Sequence, residues 1–302
     1  MQKKQLYALI GFPVGHSLSP QMHNAAFRKL GIDAEYKLFE KTSEKLESFL
    51  TEEVYALDLA GFNITIPHKI RAKEILEKKF PLKQENSLIQ ENSYYVKLSW
   101  AVKTVKKTGQ SLEYYNTDAS GFRRSLSESL KFNPSGKEVL VIGCGGAGRA
   151  IIAALSWKKS GCKKIYIYDI DGQSIKSAKE HFLSNSPHAN FLSDKLKFIS
   201  GDDLQEAIKK CSLLVNASPI GMKNPQDSPI DKSLLHKELS VYDVVYNRND
   251  KTQLIKDALA RDLPVADGLE MLLYQGADAF NIWTGKQAPI EVMRKALNKG
   301  IQ

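Results

Sequence analysis

Cysteine is scarce: Cys144, Cys162 and Cys211 lie far apart in a chain of 302 residues, at no metal-ligand spacing, and an odd count argues against a disulfide framework. A reducing cytoplasm and a site without metal are therefore expected. No stretch approaches the roughly 20 apolar residues that cross a bilayer. The apolar run at residues 6–10, after Lys3 and Lys4, is too short for a secretory signal and reads as a first strand. No fixed-period repeat appears, which argues against a solenoid. The net charge of +9 is scattered through short pairs such as Lys78-Lys79 and Lys163-Lys164. Without a basic stripe and interleaved aromatics, neither nucleic acid nor a membrane is the expected partner, although a diffuse positive field draws in anionic ligands. What remains is a chain with 42% hydrophobic and 25% charged residues, long enough for two domains with separate cores.

Short β-rich runs alternate with helical ones. Residues 6–10 are strand-like and 20–30 helical, with Ser19 available as the cap. Residues 36–39 are extended, 44–50 helical and 60–66 a strand, and Pro67 precedes a helix at 69–78. This alternation predicts a mainly parallel sheet. Residues 81–93 read as polar and turn-rich, and 94–98 and 102–106 as strands, the second turning back through Thr108-Gly109-Gln110 onto 112–115. After Asn133-Pro134-Ser135-Gly136 the alternation resumes, with buried strands expected at 139–142, 164–168, 213–216 and 241–245. The C-terminal stretch is largely helical.

Residues 138–142 run into Gly143-Cys144-Gly145-Gly146-Ala147-Gly148, and a helix-forming run follows from Arg149 to Leu155. A G-x-G-x-x-G motif has this meaning only where it leaves a strand and opens a helix, as it does here. Gly143 permits the tight turn, Gly145 lets a pyrophosphate approach the backbone, and Gly148 allows close helix–strand packing. Free N–H groups at the helix start, around Gly146 and Ala147, then face the phosphates. The next strand ends at Asp169, with Asp171 close behind. An acid there accepts hydrogen bonds from the adenosine ribose and repels a 2′-phosphate, so NAD is expected over NADP. Lys176, further on, is not expected to compensate.

Three further loops carry polar groups at strand-to-helix junctions. In residues 11–24, Ser17 and Ser19 near a helix N-terminus offer hydroxyl donors and the positive end of a dipole to a carboxylate. Ser19 reads equally well as a simple cap. His16 and His23 lack partners at ligand spacing and read as structural. In residues 61–69, Asn63 and Thr65 share a face by strand alternation, and Lys69 follows in the first helical turn. In residues 115–122, Asp118 stands at the expected domain boundary.

Taken in order, G-x-P-x-x-H-S-x-S-P-x-x-H-N from Gly11, G-x-N-x-T-x-P-x-K from Gly61 and N-T-D-x-x-G-F from Asn116 resemble the shikimate dehydrogenase family. So do the glycine-rich turn, Asn216-Ala217-Ser218-Pro219-Ile220-Gly221-Met222, Tyr242-Asp243-Val244-Val245-Tyr246-Asn247 and the stretch from Gly268 to Ala277, so that the match spans nearly the whole chain. The resemblance implies an α/β fold in two parts. An N-terminal α/β substrate domain would take 1–118 plus 267–302, with the C-terminal helices returning to it. A Rossmann-type, doubly wound NAD(P)-binding domain would take 119–266. It also implies hydride transfer between a nicotinamide cofactor and a cyclic polyol carboxylate, shikimate/3-dehydroshikimate or a relative such as quinate. Lys69 and Asp118 would be the catalytic pair. Ser17 and Ser19 would hold the substrate carboxylate, with Asn63, Thr65, Tyr246 and Gln275 contacting hydroxyls or carboxylate. Gly268 and Met271 would line the nicotinamide pocket, and Ala217, Ser218 and Pro219 would flank the cofactor. A monomer or a homodimer is compatible with this reading. A lysine with a depressed pKa can accept the alcohol proton, whereas an adjacent carboxylate favours the charged ammonium; the sequence leaves open which effect wins.

The sequence departs from the family at two points. Where the family carries G-A-V-N-T, this chain has Trp100-Ala101-Val102-Lys103-Thr104, placing Lys103 at the asparagine that contacts substrate hydroxyls. An alternative alignment puts Asn92-Ser93 in that role. Either way the substrate pocket is expected to be remodelled, and a non-catalytic dinucleotide-binding homologue stays open beside the enzyme. The second departure is Arg248, at the family's usual proline after Tyr246-Asn247.

Overall fold

The computed structural model describes residues 4–82, 87–185, 189–247 and 250–301. Arg248 thus lies outside the described residues. The chain divides into two compact units, Met1–Gly121 with Leu272–Gln302, and Phe122–Met271.

The first unit is built on a five-stranded sheet in the order β2-β1-β3-β4-β5. Strands β1 (Gln5–Gly11), β2 (Ala34–Glu40) and β3 (Leu59–Ile64) are parallel, and β4 (Thr104–Thr108) and β5 (Ser111–Tyr115) form an antiparallel edge. Gly109, at φ +61°, turns β4 into β5. Ala8, Ile10, Phe62 and Ile64 form one apolar cluster with Leu46, Phe49, Leu50 and Val54 from an irregular helical stretch at 43–56.

Two local expectations fail here. The helix Ser19–Lys29 has Leu18, not Ser19, at its cap; Ser19 already sits in the first turn, and its N–H donates to Ser17 Oγ at 3.2 Å. Residues 94–98 are not a strand but part of the helix Ser87–Ser99, which also replaces most of the expected turn-rich segment. Tyr94, Tyr95, Val96 and Leu98 are all buried, and a short apolar run has no period with which to tell a buried helix from a buried strand.

The second unit holds a parallel six-stranded sheet in the order β11-β10-β9-β6-β7-β8. The strands are β6 (Glu138–Ile142), β7 (Lys164–Tyr168), β8 (Leu196–Phe198), β9 (Leu213–Asn216), β10 (Ser240–Asp243) and β11 (Val265–Asp267). Read from β8, this is the doubly wound order 3-2-1-4-5-6, and it puts the topological switch point between β6 and β9, where such folds bind ligands. The two central strands, β6 and β9, are buried almost throughout and read as continuous Val/Ile/Leu runs without alternation.

The helix Gly268–Thr284 carries the chain from the second unit back to the first, where it is followed by Ile290–Ile301. Trp283 Nε1 donates to Val105 O at 2.9 Å, and its ring lies so close over β3 that a Cβ on Gly61 would stand 2.5 Å from it. Gly276 meets Met22 just as tightly. Among the described residues no helix is long and apolar enough to cross a membrane, and no cluster of His, Cys, Asp or Glu could hold a metal ion.

Candidate active site

In the first unit the helix Lys69–Lys79 begins one turn after β3, and Lys69 comes at its first position. Asp118 sits in the first turn of Thr117–Glu128, just after β5. Lys69 Nζ donates to Asp118 Oδ2 at 2.5 Å, and both side chains are almost fully enclosed. Val102 N–H donates to Lys69 O at 3.0 Å, Lys103 N–H to Tyr115 O at 2.9 Å and Ile64 N–H to Lys103 O at 2.7 Å. This wedges residue 103 between the ends of β3 and β5, and its buried Nζ comes 3.9 Å from Asp118 Oδ1. Asn92 takes no such position. Its amide bridges Tyr114 O and Asn116 N–H from the helix Ser87–Ser99. Trp100 stays out of the cluster too. It holds the left-handed conformation (φ +52°) that suits the family's glycine, and its ring covers Lys73 Nζ at 4.3 Å.

Burial alone would raise the Asp118 carboxyl, but Lys69 and Lys103 outweigh it and hold it below the ordinary value. Burial lowers the Lys103 ammonium to about 8, with Asp118 opposing and Lys69 reinforcing the drop. His23, buried and stacked on Tyr36 at 4.5 Å, is pushed down to about 3 by burial and by Lys103, so it stays neutral.

Asn63 is engaged at both ends of its amide: Oδ1 accepts from Tyr36 OH at 2.8 Å, and Nδ2 donates to Thr104 Oγ1 at 2.8 Å. Thr104 Oγ1 in turn lies 2.7 Å from Thr117 Oγ1, next to Asp118. These contacts brace the strand ends that carry Lys103 and Asp118. Thr65, half-buried, lies against Gly11. Ser17 Oγ donates to Ser19 Oγ at 3.2 Å, and Ser19 also bonds Tyr36. Gln275 donates through Nε2 to Leu272 O at 2.7 Å, while its buried Oε1 has no protein partner. Gly121 explains the end of its motif, because a Cβ there would meet Gln275 N at 2.6 Å. Tyr36, Thr104 and Thr117 were not singled out in the sequence; the alternation of the expected 36–39 strand is the one signal pointing to Tyr36.

In the second unit the glycine-rich turn is held as its motif requires. Gly143 has φ +106°, and a Cβ there would stand 2.7 Å from the Ala217 carbonyl carbon. A Cβ on Gly148 would fall 1.9 Å from Gly143 O, whereas Gly145 faces open space. The helix Gly146–Ser156, which Gly146 and Ala147 open, has no side-chain cap, leaving first-turn N–H groups for an anion. Ser218 donates to Asn216 Oδ1 at 2.6 Å, and Pro219 follows on the exposed side of that loop. Asn216 Nδ2 donates to Asp243 Oδ1 at 2.9 Å, and burial raises the Asp243 carboxyl to about 6 against the hydrogen bonds from Thr252, Val245 and Asn216. Gly268 lies against Val244 O and Tyr246, and Met271 is buried. The open side of Gly145 and the uncapped helix start fit the pyrophosphate of a dinucleotide.

Asp169 does not face the turn as a free acceptor. Its Oδ2 takes the Cys144 N–H at 2.7 Å and its Oδ1 the Asp171 N–H at 3.0 Å, while Asp171 caps the helix Gly172–Glu180 through Gln173 and Ser174.

Residues 9–84 match the shikimate dehydrogenase substrate binding domain, and residues 268–297 match the shikimate 5'-dehydrogenase C-terminal domain. The chain is 37% identical to the shikimate dehydrogenase (NADP(+)) of Methanobrevibacter smithii over 98% of its length and 96% of that protein's. It is 35% identical to the enzyme of the same name from Methanopyrus kandleri, over 96% and 93%. Shikimate 5-dehydrogenase from Thermus thermophilus, solved with NADP(H) and shikimate, superposes with a TM-score of 0.78 at 30% identity, covering 98% and 99% of the two chains. These relatives correct the expectation of NAD over NADP. Asp169 and Asp171 hold backbone N–H groups of Cys144, Asp171, Gln173 and Ser174, so acids after β7 have a structural use here and do not by themselves report the ribose substituent.

Proposed function

The chain belongs to the shikimate dehydrogenase family, and on that premise we propose that it interconverts shikimate and 3-dehydroshikimate with NADP(H). The observation that carries this reading is the enclosed Lys69–Asp118 pair, with Lys103 beside it. We assign the first unit to the substrate and the second to the dinucleotide. The bound nicotinamide supplies the hydride acceptor or donor. Asp118 orients the Lys69 amine, which hydrogen-bonds the reacting oxygen, and the proton passes through this lysine–aspartate cluster. Ser17 and Ser19 take the carboxylate, and the unpartnered Oε1 of Gln275 accepts from a ring hydroxyl. Thr65 and Tyr246 complete the polar contacts, while Asn63 acts by holding the strand ends in place. Gly143, Gly145, Gly146, Ala147 and Gly148 cradle the pyrophosphate; Ala217, Ser218 and Pro219 flank it, and Gly268 and Met271 back the nicotinamide.

Lys103 favours a second reading of the substrate, a related acid such as quinate, because an amine stands where the family reads hydroxyls with an amide. Initial rates with shikimate and quinate, each with NADP+ and NAD+, separate these readings. Shikimate with NADP+ is expected to give the highest kcat/KM. Turnover of neither acid, with the nucleotide still bound, would leave a dinucleotide-binding protein that is not an enzyme of this type.

A further inference from the structure

One enclosed carboxylate serves two lysines, and it serves them unequally. Lys69, reaching Asp118 from a helix start, is hydrogen-bonded to one oxygen at 2.5 Å. Lys103, reaching it from the extended chain ahead of β4, stops 3.9 Å from the other, beyond the range of an N–H···O bond. Among the described residues, Asp118 is the one carboxylate paired with Lys103. The remaining titratable group that faces Lys103 is His23, which is neutral and stacked on Tyr36, so it offers no counter-charge. Two ammonium groups against one carboxylate leave a net positive charge shut away from water, which is costly unless one lysine gives up its proton. Neutralising Lys69 would deprive Asp118 of its hydrogen-bonded cation. Neutralising Lys103 sacrifices only a longer Coulomb contact.

We infer that Lys103 is a second catalytic lysine, whose free amine takes the proton from the reacting hydroxyl in oxidation and returns it in reduction, while Lys69 stays bonded to Asp118. This rests on the dehydrogenase reading above. In oxidation the substrate O–H bond breaks and an N–H bond forms on Lys103 Nζ. The carbinol carbon gives its hydride to the oxidised nicotinamide, the carbonyl forms, and the new ammonium returns its proton to water. The lowering of Lys103 to about 8 by burial suits a group that must hold and release a proton near neutral pH. The family's asparagine at this position has no such capacity, so the departure from the motif adds chemistry to the site.

Two measurements test the inference. In cofactor-free protein, the lysine ε-carbon NMR signal that disappears in Lys103→Gln is expected to titrate with a midpoint near 8, and a midpoint above about 10 overturns the inference. In turnover, wild-type kcat/KM for shikimate oxidation should rise with pH through that midpoint. Lys103→Gln should lower kcat about 100-fold and remove the rise, with KM changed less than about threefold. Lys103→Gln that keeps both kcat and the rise overturns the inference while leaving the family reading intact. If wild type turns over neither acid, the dehydrogenase reading fails and the NMR midpoint alone decides whether Lys103 is the proton-exchanging member of the cluster.

Discussion

The two candidate sites, one in each unit, are specified by different kinds of chemistry. The nucleotide cradle is made of backbone: Gly143, Gly145 and Gly148 matter for the side chains they lack, and their neighbours are carbonyl and amide groups. The lysine–aspartate cluster is made of side chains whose meaning depends on distances of a few tenths of an ångström and on burial. A backbone site tolerates almost no substitution and drifts little within a fold. A side-chain site can change its chemistry at one position without disturbing the fold, and Lys103 is such a change.

Substitutions can break or sharpen that contrast. The largest effect is expected from Lys69→Ala, which should lower kcat/KM for shikimate by about 10³, because it removes both the donor to the reacting oxygen and the hydrogen-bonded partner of the buried Asp118. Isothermal titration should find the dinucleotide affinity of that variant unchanged within about threefold, and a matching loss of nucleotide affinity would erase the distinction between the halves. Gly148→Ala should act in the opposite sense. Its Cβ would fall 1.9 Å from Gly143 O, with no flexible side chain to yield. Stability should drop by roughly 3 kcal/mol, read by urea unfolding, and nucleotide affinity should fall with it.

Asp243 offers a subtler test inside the backbone half. Its carboxyl is raised to about 6 by burial, above the ordinary unfolded value, so its contribution to stability is full at low pH and is lost as pH rises through about 6. Between pH 4 and pH 7, the stability of Asp243→Asn relative to wild type should therefore improve by about 2 kcal/mol. An unchanged gap between the two denaturation midpoints would refute the shift. The smallest effect is expected at Trp100→Gly. Relief of the left-handed backbone (φ +52°) and loss of the ring over Lys73 oppose each other at about 1 kcal/mol each, so the net change should stay within about 1 kcal/mol.

The same contrast explains what could be read from the residues alone. Glycine constraints are local, so the turn at 143–148 and its strand–helix context were legible, as was the close packing behind Gly148. Spacing offered both Lys103 and Asn92 for the family's asparagine; the distances between side chains decide it, with Lys103 beside Asp118 and Asn92 bonded to Tyr114 and Asn116 instead. The helix Ser87–Ser99 was not legible, because its apolar run is too short to carry a period. Ser19 was misread as a cap because the helix begins one residue earlier than its polar signature suggests. Asp169 misled for a different reason. The type and position of an acid are visible in a sequence, but whether its oxygens are already occupied by Cys144 and Asp171 N–H groups is not.

Trp283, laid over Gly61 and bonded to Val105, has a consequence for how the chain is made. The first unit draws on residues 272–302, whereas the second is one continuous segment, Phe122–Met271. On a ribosome, the second unit can therefore complete its core while the N-terminal sheet still waits for its tryptophan. The usual order, in which the N-terminal domain is finished first, is inverted. Until the last turns of the chain emerge, the groove beside Met22 and Gly61 stays open, and a nascent chain stalled short of Trp283 would present that apolar surface to chaperones.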